Sequence, residues 1–121
     1  FIVNRHETGT NYDLHGLAVR AGLPTAAIHF TFATAGSPIK LNEWSHLAMT
    51  YDGITARIYV DGQEATYSDI GWPLAADDTA LTIGAGWNTE TVKEFIAGVI
   101  DDVALWNKAL SADQVAKLAA R

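Results

Sequence analysis

The stretch from Leu41 to Gly62 leaves this chain few folds to choose from. Two runs alternate apolar and polar residues, and each ends on an Asp–Gly pair, Asp52–Gly53 and Asp61–Gly62. In residues 45–51, Leu47, Met49 and Tyr51 share one face. In residues 55–60, Ala56, Ile58 and Val60 share one face, with Arg57 and Tyr59 opposite. A period of two is that of a strand with one buried side. Asp–Gly supplies the positive φ that a two-residue hairpin turn demands. The stretch therefore predicts two tight turns between antiparallel strands, and an all-β protein.

The chain has 121 residues, room for one domain with a real core. Apolar residues make up 49%, which excludes a disordered chain. No run of 18 apolar residues occurs, so no helix of this chain is expected to enter a membrane. The net charge is -6, with the acidic residues scattered. Such a surface repels phosphate backbones and argues against nucleic acid as a partner. It suits neutral ligands such as sugars, divalent cations, or simple solubility. There is no cysteine, which excludes disulfides, thiolate metal sites and a cysteine nucleophile. The chain opens on Phe1 with no leader, as a processed product or a piece of a longer protein would.

Outside the hairpins, residues 12–20 alternate imperfectly and predict a strand, broken at 21–24. In residues 26–32, Ala26, Ile28, Phe30 and Phe32 share a face, with His29 and Thr31 on the other, predicting one continuous strand. Short strands are expected at 64–67 and 81–84. Long loops are expected at 68–78, around Trp72–Pro73, and at 85–94, around Trp87–Asn88. Residues 95–107 predict a last strand, with Gly98 as a bulge or a point of close approach. The period then changes. Ser111 and Gln114 form a capping box, and Leu110 and Val115 occupy the staple positions of a short helix ending near Arg121.

Three pieces of the chain, in order, resemble one family. Residues 41–48 (LNEWSHLA) are similar to its W-x-H-v-A strand, and residues 59–62 (YVDG) to its Y-v-D-G hairpin. Residues 98–111 (GVIDDVALWNKALS) are similar to its closing G-x-I-D-E-V strand and helix cap, with Asp102 where the family prefers Glu and Trp106 where it prefers Tyr. The family is the laminin-G-like, concanavalin-A-like lectin and glucanase group. The resemblance implies an antiparallel β-sandwich of jelly-roll type with a short C-terminal helix. It also implies a structural role for Trp44 and His46, packed at a strand start with ring N–H groups on backbone carbonyls. Complete members carry several strands ahead of this point. The chain is therefore expected to be N-terminally short: a fragment, a compact variant, or a protomer that completes its sheets through a partner.

Two loop regions hold the candidate ligand site. Sugar sites stack flat apolar faces on aromatic rings and fix hydroxyls with Asn, Asp or Glu. Trp87 with Asn88 and Glu90, and Trp72 with Asp69, supply those residue types. The alternative is that each Trp plugs the edge of the sandwich under its loop. On the last predicted strand Val99, Asp101, Val103 and Leu105 share a face, so Asp101 is expected to point inward. A buried carboxylate needs a partner. Backbone or Trp N–H donors would serve, and so would calcium, for which the family resemblance implies an Asp at this place. Asp102 faces the other way, as a solvated surface acid.

Catalytic patterns are missing. Neighbouring Asp101 and Asp102 face opposite sides of a strand, and Asp77–Asp78 lies in a loop, so neither supplies the two same-face carboxylates of a glycosidase. His6, His15, His29 and His46 show no zinc spacing. The residues and the resemblance together lead to a non-catalytic recognition module of a secreted or surface-exposed bacterial protein. A glycan is the first ligand class. A structural or adhesive module that contacts proteins, or assembles with itself by completing its sheets, is the alternative, and a glycoside hydrolase remnant a third.

Overall fold

The computed structural model describes residues 1–6, 13–29, 31–74, 78–88, 91–93 and 95–121, with backbone alone at 13, 14, 87, 88 and 91–93. The described strands are β1 (Val3–His6), β2 (Asp13–Arg20), β3 (Leu23–His29), β4 (Thr31–Thr34), β5 (Leu47–Tyr51), β6 (Thr55–Val60), β7 (Gln63–Asp69), β8 (Leu81–Ile83), β9 (Gly86–Asn88) and β10 (Thr91–Lys93); one helix, α1 (Ala112–Ala119), follows. Every strand pair is antiparallel. One sheet runs β4-β3-β2-β1-β8, a second runs β5-β6-β7, and β9 and β10 form a separate hairpin.

The two larger sheets pack face to face. Ala26, Ile28 and Ala33 from one meet Ala56 and Ile58 from the other, with Leu17, Met49, Tyr51, Val60 and Ile70 around them. The predicted inner face of residues 55–60 is thus correct. Tyr59, expected on the outer face, is nonetheless 2% exposed, so both sides of β6 are covered.

The turn chemistry works out differently at the two Asp–Gly pairs. Val60 pairs with Gln63, and Asp61 and Gly62 take φ of +50° and +80°. That is the two-residue turn whose backbone twist matches the flanking strands. At Asp52–Gly53 the turn is longer, and Asp52 Oδ1 closes it by accepting from the N–H groups of Ile54 (2.9 Å) and Thr55 (2.7 Å). His46 is clamped to the second turn: its N–H donates to Asp61 Oδ1, and its carbonyl accepts from the Asp61 N–H, both at 2.8 Å.

Four expectations are corrected. Residues 26–32 are not one strand: Ile28 pairs with Thr31, and His29 takes φ +55°, so the chain reverses there. The reversal turns Ala33 into the core and leaves Phe32 42% exposed; Phe30 lies outside the described residues. Trp44 does not pack at a strand start but stands 72% exposed. Residues 85–94 are not simply a loop, since β9 and β10 pair within them.

The fourth correction concerns residues 95–107. They form no strand and make no ladder, beyond one bond from the Ile96 N–H to the Gly84 carbonyl. Without a neighbouring strand nothing holds their alternation to a sheet face. Asp101 is therefore exposed instead of facing inward, and its Oδ1 accepts from the N–H of Asp102 at 2.8 Å. Asp102 takes φ +52°, which breaks the period of two.

The C-terminal helix is as expected. Ser111 caps it, the Gln114 N–H donates to the Ser111 hydroxyl, and the Gln114 side chain accepts from the Ser111 N–H. Val115 is its buried anchor, 1% exposed.

One strand pair predicts a pH dependence. The register of β1 and β2 sets His15 opposite Arg5. Burial, and then the Arg5 charge, hold the His15 imidazole below its ordinary pKa of 6.5. The folded state therefore binds this proton less readily than the unfolded chain. Stability is full above pH 6.5 and falls as the pH drops below it toward the lowered folded value. Urea unfolding at pH 7 and pH 5 should show this loss, and His15→Gln should remove its His15 share; an unchanged pH slope in the variant refutes it.

Candidate functional site

One end of the sandwich gathers polar and aromatic groups around the β5–β6 turn. The Ile54 carbonyl accepts from two successive N–H groups, Ile70 at 2.7 Å and Gly71 at 3.0 Å. Gly71 takes φ +71°, which its lack of a Cβ allows. These bonds fasten the segment after β7 onto the turn. The Tyr51 hydroxyl then donates to the Trp72 carbonyl. The Trp72 ring stands edge-on to His29, with centroids 5.3 Å apart and planes at 62°. Asp69, at the end of β7, accepts from the Thr55 hydroxyl through Oδ1 at 2.7 Å.

The Trp72 carbonyl thus accepts from Tyr51 and its ring meets His29, while 43% of the residue's surface stays open. A rigid aromatic surface with polar neighbours costs little entropy when a ligand settles on it. Two titratable groups of the β5–β6 turn have a definite protonation state. Backbone hydrogen bonds from Thr55 and Ile54 hold the Asp52 carboxyl below the usual carboxylate range. Burial pushes the Tyr51 hydroxyl above its ordinary value. At neutral pH Asp52 is ionised and Tyr51 is a neutral donor.

Of the sequence-predicted site residues, Trp72 and Asp69 come together here, both tied to the β5–β6 turn. Trp87 and Asn88 lie on β9, paired with Val92 and Thr91, and β9 lies against β1. Their side chains, and Glu90 entirely, lie outside the described residues. Asp101 is separate from this end. Among the described residues no three His, Asp or Glu side chains converge as a metal site would require.

The sequence reading missed His29, Tyr51 and Asp52. Tyr51 and Asp52 belong to the hairpin that reads as scaffold, and His29 to a run that reads as continuous strand. The meeting of Tyr51 and His29 with Trp72 joins positions 21 and 43 residues apart, and no local pattern records that.

The comparisons with known proteins agree with this architecture. The sequence profile of the concanavalin A-like lectin/glucanases superfamily matches residues 7–116, and the chain belongs to that family. No curated protein matches the chain. Among solved structures, a crystal structure of an S-layer domain-containing protein (residues 221–444) from Clostridium thermocellum is similar in fold, with a TM-score of 0.56 at 20% identity. The similarity covers 93% of this chain and 65% of that one.

Proposed function

We propose that this domain is a non-catalytic recognition module that binds carbohydrate on the outside of a bacterial cell, with Trp72 as its stacking platform. The observation that carries the reading is the anchored, partly open Trp72 ring. A sugar presents a flat C–H face that an indole covers, and hydroxyls that a carboxylate such as Asp69 can bond. Asp69 has one carboxylate oxygen committed to Thr55 and a second left for a ligand. Trp87, Asn88 and Glu90 are proposed as further contacts.

Membership of a family of lectins and glucanases supports a ligand-binding role. The similarity to a bacterial S-layer domain-containing protein supports an extracellular setting.

A glycan array tests it. Trp72→Ala should weaken the strongest glycan by about tenfold or more, since a buried aromatic contact is worth 2 kcal/mol or more in favourable sites. Circular dichroism must show the variant folded. A folded wild-type chain that binds no glycan, or a variant that binds equally well, sinks the proposal. A module that contacts protein partners is a second reading. An exposed groove apart from the Trp72 end, walled by Phe32, Leu41, Trp44 and Phe95 together with Arg20, Lys40 and Glu43, favours it.

A further inference from the structure

The hairpin that carries Asp69 holds a second aromatic group. The register of β6 and β7 sets Tyr67 opposite Arg57 and Asp69 opposite Thr55. Residues two apart on a strand share a face, so Tyr67 and Asp69 stand on one side of β7, about 7 Å apart along it. The Arg57 guanidinium lies over the Tyr67 ring, 5.4 Å from its centroid. Arg57 Nη1 in turn donates to Glu64 Oε1 at 3.0 Å. Tyr67 is nonetheless 60% exposed. A shallow depression of about 370 Å³ runs beside it, walled by Glu64, Ala65, Thr66 and Tyr67.

A single exposed tyrosine is ordinary and needs no explanation. Three things set this one apart. Its ring is held from one side, by a cation that a carboxylate fixes in place. An exposed ion pair adds little to stability, so its main consequence here is to keep the guanidinium over the ring. The pair also cancels its own charge, which leaves a neutral surface around the tyrosine. Finally, the depression falls inside the roughly 300–1,000 Å³ of ligand clefts.

We propose that the carbohydrate site extends from Asp69 along β7 to Tyr67, which stacks a second sugar ring, so that the ligand is a neutral oligosaccharide and not a single terminal sugar. This inference rests on the carbohydrate reading and deepens it. Asp69 is the shared contact, since it lies between the two aromatics along the chain and the Thr55 hydroxyl holds its Oδ1 at 2.7 Å. Trp72 follows Asp69 by three residues, at most about 11 Å of backbone. Tyr67 and Trp72 are therefore at most about 18 Å apart, a span for several linked sugars. Charge selects the class of sugar. Arg57 already has its carboxylate, so the described residues of this face offer no spare cation to a uronic acid or a sulfated sugar, and Asp69 repels both.

Isothermal titration calorimetry with cellohexaose, xylohexaose, mannohexaose and chitohexaose, each beside its disaccharide, tests the proposal. The wild-type chain should bind one hexasaccharide about tenfold or more tighter than the matching disaccharide. Tyr67→Ala should lose that gain and leave the disaccharide affinity unchanged, whereas Trp72→Ala should weaken both. Tyr67→Phe keeps the ring and should bind as the wild type does. Tyr67→Leu keeps apolar bulk without a flat face and should match Tyr67→Ala. Hexasaccharide binding that survives Tyr67→Ala and Tyr67→Leu but falls with Trp72→Ala overturns this inference and leaves the carbohydrate reading standing. Equal wild-type affinity for hexasaccharide and disaccharide overturns it too. So does a wild-type chain that binds no hexasaccharide, and if the glycan array is also blank the carbohydrate reading falls with it.

Discussion

Ile58→Ala should lower the free energy of unfolding by about 2–5 kcal/mol. Ile58 is fully buried at the centre of the sandwich, where it meets Ala26, Ile28, Ala33 and Ala56. Leu17, Met49, Tyr51, Val60 and Ile70 pack around that cluster, with Met49 directly across the strand pair from Ile58, and how far they relax into the vacated space sets where in the range the loss falls. Domains of this size have only about 5–15 kcal/mol in total. Urea unfolding reads the result as a large drop in midpoint with little change in slope. Ile54→Ala is the control: Ile54 is 63% exposed, and its change should stay within about 0.5 kcal/mol. Similar losses in the two variants would show that the core is not where the buried area places it.

Gly62→Ala should cost about 2–3 kcal/mol, from two causes that can be separated. The first is backbone strain. Gly62 takes φ +80°, and a residue with a Cβ pays about 1–2 kcal/mol for a left-handed conformation. The second is contact. A Cβ at 62 would lie 3.1 Å from Ala116 Cα and 3.1 Å from Ala119 Cβ, so α1 must move away from the turn. Gly53→Ala isolates the first cause. Gly53 takes φ +95°, but a Cβ there would meet nothing within 4 Å. Gly62→Ala should therefore be the worse of the two in chemical denaturation. Equal losses would refute the claim that α1 is seated directly on the β6–β7 turn.

The same glycine shows what a sequence can carry. Asp61–Gly62 announces a tight turn because its φ values are a property of two residues. The helix resting on that turn comes from a segment some fifty residues later, and no local signal connects them. Ser111 and Gln114 are likewise legible, because a capping box closes within one helical turn.

Periodicity misled at residues 95–107. Alternating apolar residues indicate a strand only if a neighbouring strand is there to fix which face turns inward. Here no ladder forms, and Asp101 stays in solvent with Val99 and Leu105. At residues 26–32 the pattern hid a reversal, since His29 occupies a positive φ that a run of alternation does not announce. The candidate site was half legible. Trp72 and Asp69 stood out as a loop aromatic beside an acid. His29 and Tyr51 joined them only through folding, and the backbone bonds from 70 and 71 to Ile54 set the place where they meet.

Local chemistry alone settled the antiparallel β character, the β6–β7 turn, the capped helix and the absence of thiol chemistry, because each depends on residues within a few positions of one another. The packing of the sheets decided the rest: which strands pair, which faces close, where Trp72 is held, and which apolar run is left open. Those outcomes depend on contacts between distant segments, and such contacts exist only once the backbone has placed those segments side by side.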